Sequence, residues 1–292
     1  MGNTRSIGIP GVGVGHWTNE AAETGCTVVS LPPGTCASCE VRGGAPASRE
    51  LAALAPDKSV VAIDAVVLTG GSAFGLASAD GAMRFFEESG RGVSTPGGLV
   101  PVIPALALFD LAVGEASVRP TAEDGYAAAR ASVDGQHFEV GRVGAGTGAY
   151  TSHWRGPDGR RHGGIRYAEV AAQGVIVGAL VAVNAYGDID QGGEDVSLDP
   201  VAALSEVFGF GDSRQHTTIG VVITNAQLDK VGCHIVSQGA HDGLSRAITP
   251  PHTRFDGDAF VAAATGQVPA HVDVVRLMAL DAVARAIRSG EG

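Results

Sequence analysis

Hydrophobic positions along this chain fall into two kinds of run. Residues 26–31 (CTVVSL), 65–68 (AVVL), 174–183 (GVIVGALVAV) and 219–224 (IGVVIT) are short and continuously apolar or β-branched. Runs of that length, bounded by turn residues, predict strands buried on both faces. Residues 272–288 instead carry apolar side chains at helical spacing, with Val275, Leu277, Leu280, Val283 and Ile287 predicted on one side. Helices are also predicted over residues 76–89, 125–132, 201–208 and 229–247, the last with a break at Gly239. Between these lie turn and loop signals: Pro32-Pro33-Gly34, residues 41–46 (VRGGAP), a proline-containing stretch at 101–111, a glycine loop at 143–148, an acidic loop at 187–200 and the turn at 249–253. Residues 213–216 read as a polar lead-in to the strand at 217. Residues 255–260 precede another strand or short helix. No repeat or linker divides the pattern, which predicts one compact α/β domain over residues 1–292.

Composition narrows this picture. Of 292 residues, 45% are apolar but only 5% aromatic, and 43 are glycine. Small side chains must therefore do much of the packing, with backbones in close approach. A net charge of −11 argues against nucleic acid, which needs a basic face. The longest apolar run, residues 175–183, is too short for a bilayer, so no membrane association is expected. The N-terminus lacks the apolar stretch of a secretory signal, and a cytoplasmic location is expected. Cys36 and Cys39 form a lone CxxC in what reads as a Pro/Gly-rich loop. With no second pair, neither a zinc site nor a thioredoxin-like motif is supported, and free thiols are expected.

Candidate chemistry centres on residues 216–230 (HTTIGVVITNAQLDK). Thr217 and Thr218 stand at the mouth of the β-branched run. A threonine there is ordinarily a strand former. If the His216–Thr217 bond breaks, the freed α-amine comes within reach of the Thr217 hydroxyl and can act as its base. Asp256 and Asp258 flank Gly257 and share a face if extended, where two carboxylates could hold an ammonium or, with His252 nearby as a possible ligand, form half a metal site; on spacing alone an Asx turn with solvated acids is the better reading. Asn184 ends a buried run, where polar side chains often line sites in α/β proteins, or cap a turn. His16 and His153 are isolated histidines with no pattern of their own. Leu68 to Leu76 (LTGGSAFGL) places Gly70, Gly71 and Ser72 between a strand and a helix, fitting either a substrate-binding loop or a tight turn. VGAGTGAY at 143–150 matches a dinucleotide fingerprint loosely, but a helix does not follow it. No metal-ligand spacing is present, and neither metal nor cofactor is expected.

Taken together these segments resemble the DmpA-like family of L-aminopeptidase/D-esterases, β-peptidyl aminopeptidases and nylon-oligomer hydrolases. The resemblance rests on GVGVGHWTNEAAETGCTVV (11–29), VRGGAPASRE (41–50), DAVVLTGGSAFGL (64–76), FDL (109–111), VGAGTGA (143–149), LVAVNAYGD (180–188), TTIGVVITNAQLDK (217–230) and AHDGLSRAITPPHTRFDGDAFVAAATG (240–266). It runs nearly end to end and in order.

The resemblance implies a four-layer αββα sandwich like that of N-terminal-nucleophile (Ntn) hydrolases, with its own strand connectivity. It implies a precursor that cuts itself once, here at His216–Thr217, giving an α chain (1–216) and a β chain (217–292) that assemble as a homotetramer or larger. Thr217 would be the nucleophile, Asp256 and Asp258 would orient its amine or the substrate's, and Asn184 would donate to the oxyanion. Gly70, Gly71, Ser72 and Phe109 would line the cleft for a small peptide or amide with a free amine. Three positions depart from the family pattern. His216 stands where Asn is common before the nucleophile, His153 where Lys is common, and Phe109 where Tyr is common. They motivate an alternative: an uncut chain acting as a specialised acyl-transfer enzyme or a non-hydrolytic ligand-binding protein, with His153 or His216 as base.

Overall fold

The computed structural model describes residues 4–192 and 216–290. The helix expected at 201–208, most of the lead-in at 213–216 and the far part of the acidic loop lie outside the described residues. Ten strands build two five-stranded sheets. In chain order they are β1 (Gly13–Asn19), β2 (Thr24–Ser30), β3 (Cys36–Val41), β4 (Ala47–Arg49), β5 (Ala65–Thr69), β6 (Ala105–Ala107), β7 (Gly164–Ala172), β8 (Val175–Asn184), β9 (Thr217–Gln227) and β10 (Ala259–Pro269). The first sheet has the order β1-β2-β5-β6-β4 and the second β7-β8-β9-β10-β3. Each is antiparallel except for one parallel pair, β5 with β6 and β9 with β10.

The two sheets face each other. Val29, Val66, Leu68 and Leu106 of the first meet Leu180, Ile219, Val221 and Val261 of the second in one apolar cluster. Residues of opposite parity point outward. From the first sheet they meet helices α1 (Ser78–Glu88) and α2 (Ala122–Ser132); from the second, α3 (Lys230–Ser245) and α4 (Val272–Arg288). The result is α-β-β-α layering, as the resemblance implied. It also explains why the central strands are mostly apolar or β-branched on both faces: each face is covered.

Four details differ from the sequence expectations. Cys36 and Cys39 lie on β3, an edge strand paired with β10 rather than a loop. Its polar composition hides a strand that only its neighbour stabilises. The helix expected at 76–89 is preceded by a separate turn of helix, Ser72–Gly75. α3 passes through Gly239 unbroken. A methyl at Gly239 would sit 2.7 Å from the Arg276 carbonyl and one at Gly243 2.4 Å from that of Leu280, so these glycines serve the close approach of α4. Finally, Leu277 is 65% exposed, whereas Val275, Val283 and Ile287 are buried beside Met278, Ala279, Ala282 and Ala286. Leu277 lies about 200° round the helix from Val275, on the opposite face.

Candidate active site

Strand pairing assembles the site. β8 and β9 run antiparallel, so Asn184, the last residue of one, pairs with Thr217, the first of the other. β9 and β10 run parallel, so the segment entering β10 flanks the segment entering β9, and His216 bridges Asp256. Thr217, Asn184, Asp256, Asp258 and His216 thus converge from three neighbouring strand ends, each at most 5% exposed.

The contacts are specific. The Thr217 hydroxyl donates to the carbonyl oxygen of His216. The Gly257 N–H donates to that same oxygen at 3.0 Å. Asp258 Oδ1 accepts the Thr218 N–H at 2.8 Å. Asp256 Oδ2 accepts the Thr253 N–H at 3.0 Å and the Thr253 hydroxyl, and Oδ1 accepts the Tyr186 N–H at 3.4 Å. The loop at 41–46 closes over the acid turn from outside: the Arg42 and Gly43 N–H groups donate to the Asp258 carbonyl, and Ala45 N–H to that of Asp256. Burial, and then the charge of Asp258, pushes the Asp256 carboxyl up to about 7.

Asn184 is committed on both sides of its amide. Its Oδ1 accepts the Tyr150 N–H at 3.0 Å and its Nδ2 donates to the Phe109 carbonyl at 3.0 Å. Phe109 therefore enters the site through its backbone. The same segment anchors the glycine turn: Ser72 N–H donates to the Leu108 carbonyl at 2.9 Å and Gly71 N–H to Asp110 Oδ1 at 2.7 Å, while Gly70 N–H donates to Gly25. The N–H groups of Gly70, Gly71 and Ser72 are thus all engaged within the fold. Asp110, buried and pushed up by that burial, also accepts the Thr24 hydroxyl at 2.7 Å. Sequence reasoning gave Asp110 no role, although it sits in the FDL motif.

The two histidines share one space. The His153 ring lies 4.2 Å from that of His216, centroid to centroid, with Tyr186 5.0 Å from His216 on another side. Burial, and then the neighbouring His153, pushes His216 down to about 3. Burial, and then the charge of Arg160, pushes His153 down to about 4. Both rings are therefore neutral at pH 7. Neither nitrogen of His216 has a hydrogen-bond partner among the described residues, while His153 Nε2 lies 3.2 Å from the Tyr150 carbonyl.

The remaining candidates resolve simply. Gly144–Gly146 of the glycine loop is a short 3-10 turn whose Gly144 and Ala145 N–H groups are held by Thr18 and Thr27 hydroxyls, so no helix opens on it as a dinucleotide site requires. His16 is half-buried, against the Thr27 hydroxyl and the Glu139 carbonyl. Among the described residues no helix is long and apolar enough to cross a membrane.

Comparison with known proteins agrees with this architecture. The profile of peptidase family S58 matches residues 7–289. An uncharacterised aminopeptidase of Mycobacterium leprae is 41% identical, over 90% of this chain and 78% of the relative. A 6-aminohexanoate-oligomer endohydrolase of Kocuria is 27% identical, over 91% of this chain and 76% of that enzyme. Among solved structures, the L-aminopeptidase D-Ala-esterase/amidase of Ochrobactrum anthropi, described as a variant of the Ntn hydrolase fold, superposes with a TM-score of 0.70 at 20% identity. That match covers 96% of this chain and 83% of the other. The chain belongs to peptidase family S58 and has the fold of the Ntn hydrolases.

Proposed function

We propose that this protein is an aminopeptidase-type amide hydrolase whose nucleophile is Thr217, released by self-cleavage at His216–Thr217. One observation carries the reading. The His216 carbonyl oxygen receives both the hydroxyl of the residue that would attack it and the Gly257 N–H, a donor placed to hold the charge that attack creates. Thr217 Oγ adds to the His216 carbonyl carbon, the C–N bond breaks, and the proton passes to the departing nitrogen. Residue 216 is then an ester on Oγ, which water opens to a carboxylate and a free Thr217 amine.

In the mature enzyme that amine takes the Thr217 hydroxyl proton while Oγ attacks the substrate acyl carbon. The leaving amine receives the proton, and water frees the acyl group. Asp256 and Asp258 hold the Thr217 amine by charge-assisted hydrogen bonds. The substrate carbonyl takes the place of that of residue 216, against the Gly257 N–H and the Asn184 amide. Departure of His216 leaves its former space, beside His153 and Tyr186, for the substrate. Among the described residues neither ring nitrogen of His216 is paired, and burying such an unpaired side chain costs about 1–3 kcal/mol, which favours its ejection once the chain is cut. The substrate is a small peptide or amide with a free amine, the enzyme is a cytoplasmic homo-oligomer, and residues 1–292 act as one domain.

A second reading, an uncut acyl-transfer enzyme or ligand-binding protein, draws on the burial of Thr217 and the tight seating of His216. Intact mass with N-terminal sequencing, run beside hydrolysis of an aminoacyl p-nitroanilide, separates the two. The first reading expects two fragments, the smaller beginning at Thr217, and Thr217-dependent hydrolysis. A single uncut chain that still hydrolyses the anilide would eliminate the amine as base.

A further inference from the structure

His252, a possible ligand by its place in the sequence, has no part in the chemistry proposed above. Its backbone is in the left-handed region, with φ 51°. A side chain there is strained and persists only where its surroundings fix it. Both ends of His252 are fixed. Its N–H and its ring Nδ1 both reach Asp258 Oδ2, at 3.2 and 2.9 Å. Its Nε2 lies 3.2 Å from Ser245 Oγ in the last turn of α3, and its ring packs edge-on against His241 with centroids 4.9 Å apart. Asp258 gives its other oxygen to the Thr218 N–H. A line of contacts thus runs from the exposed Ser245 through His252 and Asp258 to the residue after the nucleophile.

We propose that His252 is a positioning residue: by donating from Nδ1 to Asp258 Oδ2 it keeps the single negative charge of the buried acid pair on Asp258 and leaves Asp256 as the member that carries the proton. The proposal rests on the reading of Thr217 as nucleophile. Two carboxylates two residues apart, each 2% exposed, cannot both ionise cheaply. Asp258 receives three N–H donors at 2.8 to 3.2 Å, two of them from His252. Asp256 receives two N–H groups, at 3.0 and 3.4 Å, and the Thr253 hydroxyl. Among the described residues the other titratable or charged groups around the pair are Tyr186 and His216 beside Asp256, and His241 and Arg42 behind His252, with Arg42 paired to Asp242. The placement of Asp256 near 7 agrees with this division. It also serves catalysis. Two charged carboxylates would hold the Thr217 amine as an ammonium that cannot accept a proton, whereas one leaves the amine able to become neutral.

The test is a carboxyl-carbon NMR titration of 13C-aspartate-labelled protein, in the uncleavable Thr217→Ala chain so that it does not depend on activity. One aspartate should titrate near neutral pH and vanish in Asp256→Asn. In His252→Leu the proton should pass in part to Asp258, so that a second aspartate titrates near neutral pH and the Asp256 midpoint falls by about one pH unit. His252→Asn, whose amide nitrogen takes the place of Nδ1, should restore it. His252→Gln keeps a polar side chain without that donor position and should behave as Leu does, which covers the case in which the leucine variant fails to fold. In the cleavable chain, anilide kcat should fall about ten-fold in His252→Leu with KM within about two-fold, and recover in His252→Asn. A midpoint that does not move in either the Leu or the Gln variant overturns the proposal, whatever happens to activity. Absence of Thr217-dependent hydrolysis in the unmodified chain would instead overturn the functional reading, and the titration would still decide the role of His252.

Discussion

The N–H of Gly257 and the carbonyl oxygen of His216 meet at 3.0 Å across two parallel strand entrances, immediately before Thr217. A side chain at 257 would project into the nucleophile: a methyl there would sit 2.8 Å from Thr217 Oγ and 3.0 Å from the Ala45 carbonyl. Gly257→Ala keeps the N–H donor but displaces the hydroxyl. Overpacking of this kind costs about 1–3 kcal/mol. The variant should fold, with cleavage and anilide turnover reduced about 100-fold. Near-normal turnover would show that the hydroxyl does not work from the position it occupies here.

Replacing the nucleophile gives a second expectation. Thr217→Ala should run as a single uncut chain with no anilide hydrolysis. Thr217→Ser, which keeps the oxygen and the means of producing an amine, should still yield two fragments. The measurement is intact mass after purification. Two fragments from the alanine variant would refer the break to a contaminating protease.

How much of this was legible in the sequence depends on what each residue needed to be recognised. Residues 175–184 and 217–227 announce themselves because both faces of a central strand must be apolar. Cys36–Val41 does not, because an edge strand of small and polar residues is defined by its partner, here Ala259–Ala264. Thr217, Asn184, Asp256 and Asp258 could be named beforehand because their side chains suit such chemistry and their segments resemble a known family, and strand pairing brings them together. Gly257 was overlooked because its contribution is a backbone N–H, which leaves no mark in composition. Asp110 was overlooked, and His252 stood only as a possible ligand, because each acts by holding another group, and that depends on contacts 39 and 6 residues away along the chain.

Asp110 provides a stability test of the turn beneath the site. Its carboxylate accepts the Gly71 N–H and the Thr24 hydroxyl, both at 2.7 Å and both buried. Asp110→Ala leaves two buried donors unpaired, at about 1–3 kcal/mol each. Chemical denaturation should register a loss within the sum of those figures, and Asp110→Asn, which still accepts one of the two, should lose less. An alanine variant as stable as the parent would mean that water replaces the carboxylate.

Asp256 should leave a mark on stability against pH. Its ordinary value is 3.8 and burial raises it to about 7. Between those values the folded chain holds a proton that the unfolded chain has released, so this group's contribution is fully present below pH 3.8 and is lost as pH rises to about 7. Asp256→Asn mimics the protonated form and removes that dependence. In the Thr217→Ala background, the denaturation midpoint of Asp256→Asn relative to its parent should rise steadily from pH 4 to pH 7 and then level off. A difference that is flat over that window would place the charge elsewhere.

His216 works in the opposite direction, which allows the two to be separated. Its ring is pushed down to about 3 from the ordinary 6.5, first by burial and then by His153. Below pH 6.5 the unfolded chain gains a proton that the folded one refuses, so stability is lost as pH falls towards 3. Phenylalanine has no such proton and leaves no buried nitrogen unpaired. In the Thr217→Ala chain, His216→Phe should therefore be more stable at pH 7.5 by about 1–3 kcal/mol, and that advantage should widen as pH falls to 5. In the cleavable chain the same substitution removes the penalty that drives residue 216 out of the site, so cleavage should proceed while the new end of the α chain clears more slowly and anilide turnover falls. If the advantage stays constant with pH, the imidazole is not held neutral, and the space it occupies is wetter than its contacts with His153 and Tyr186 imply.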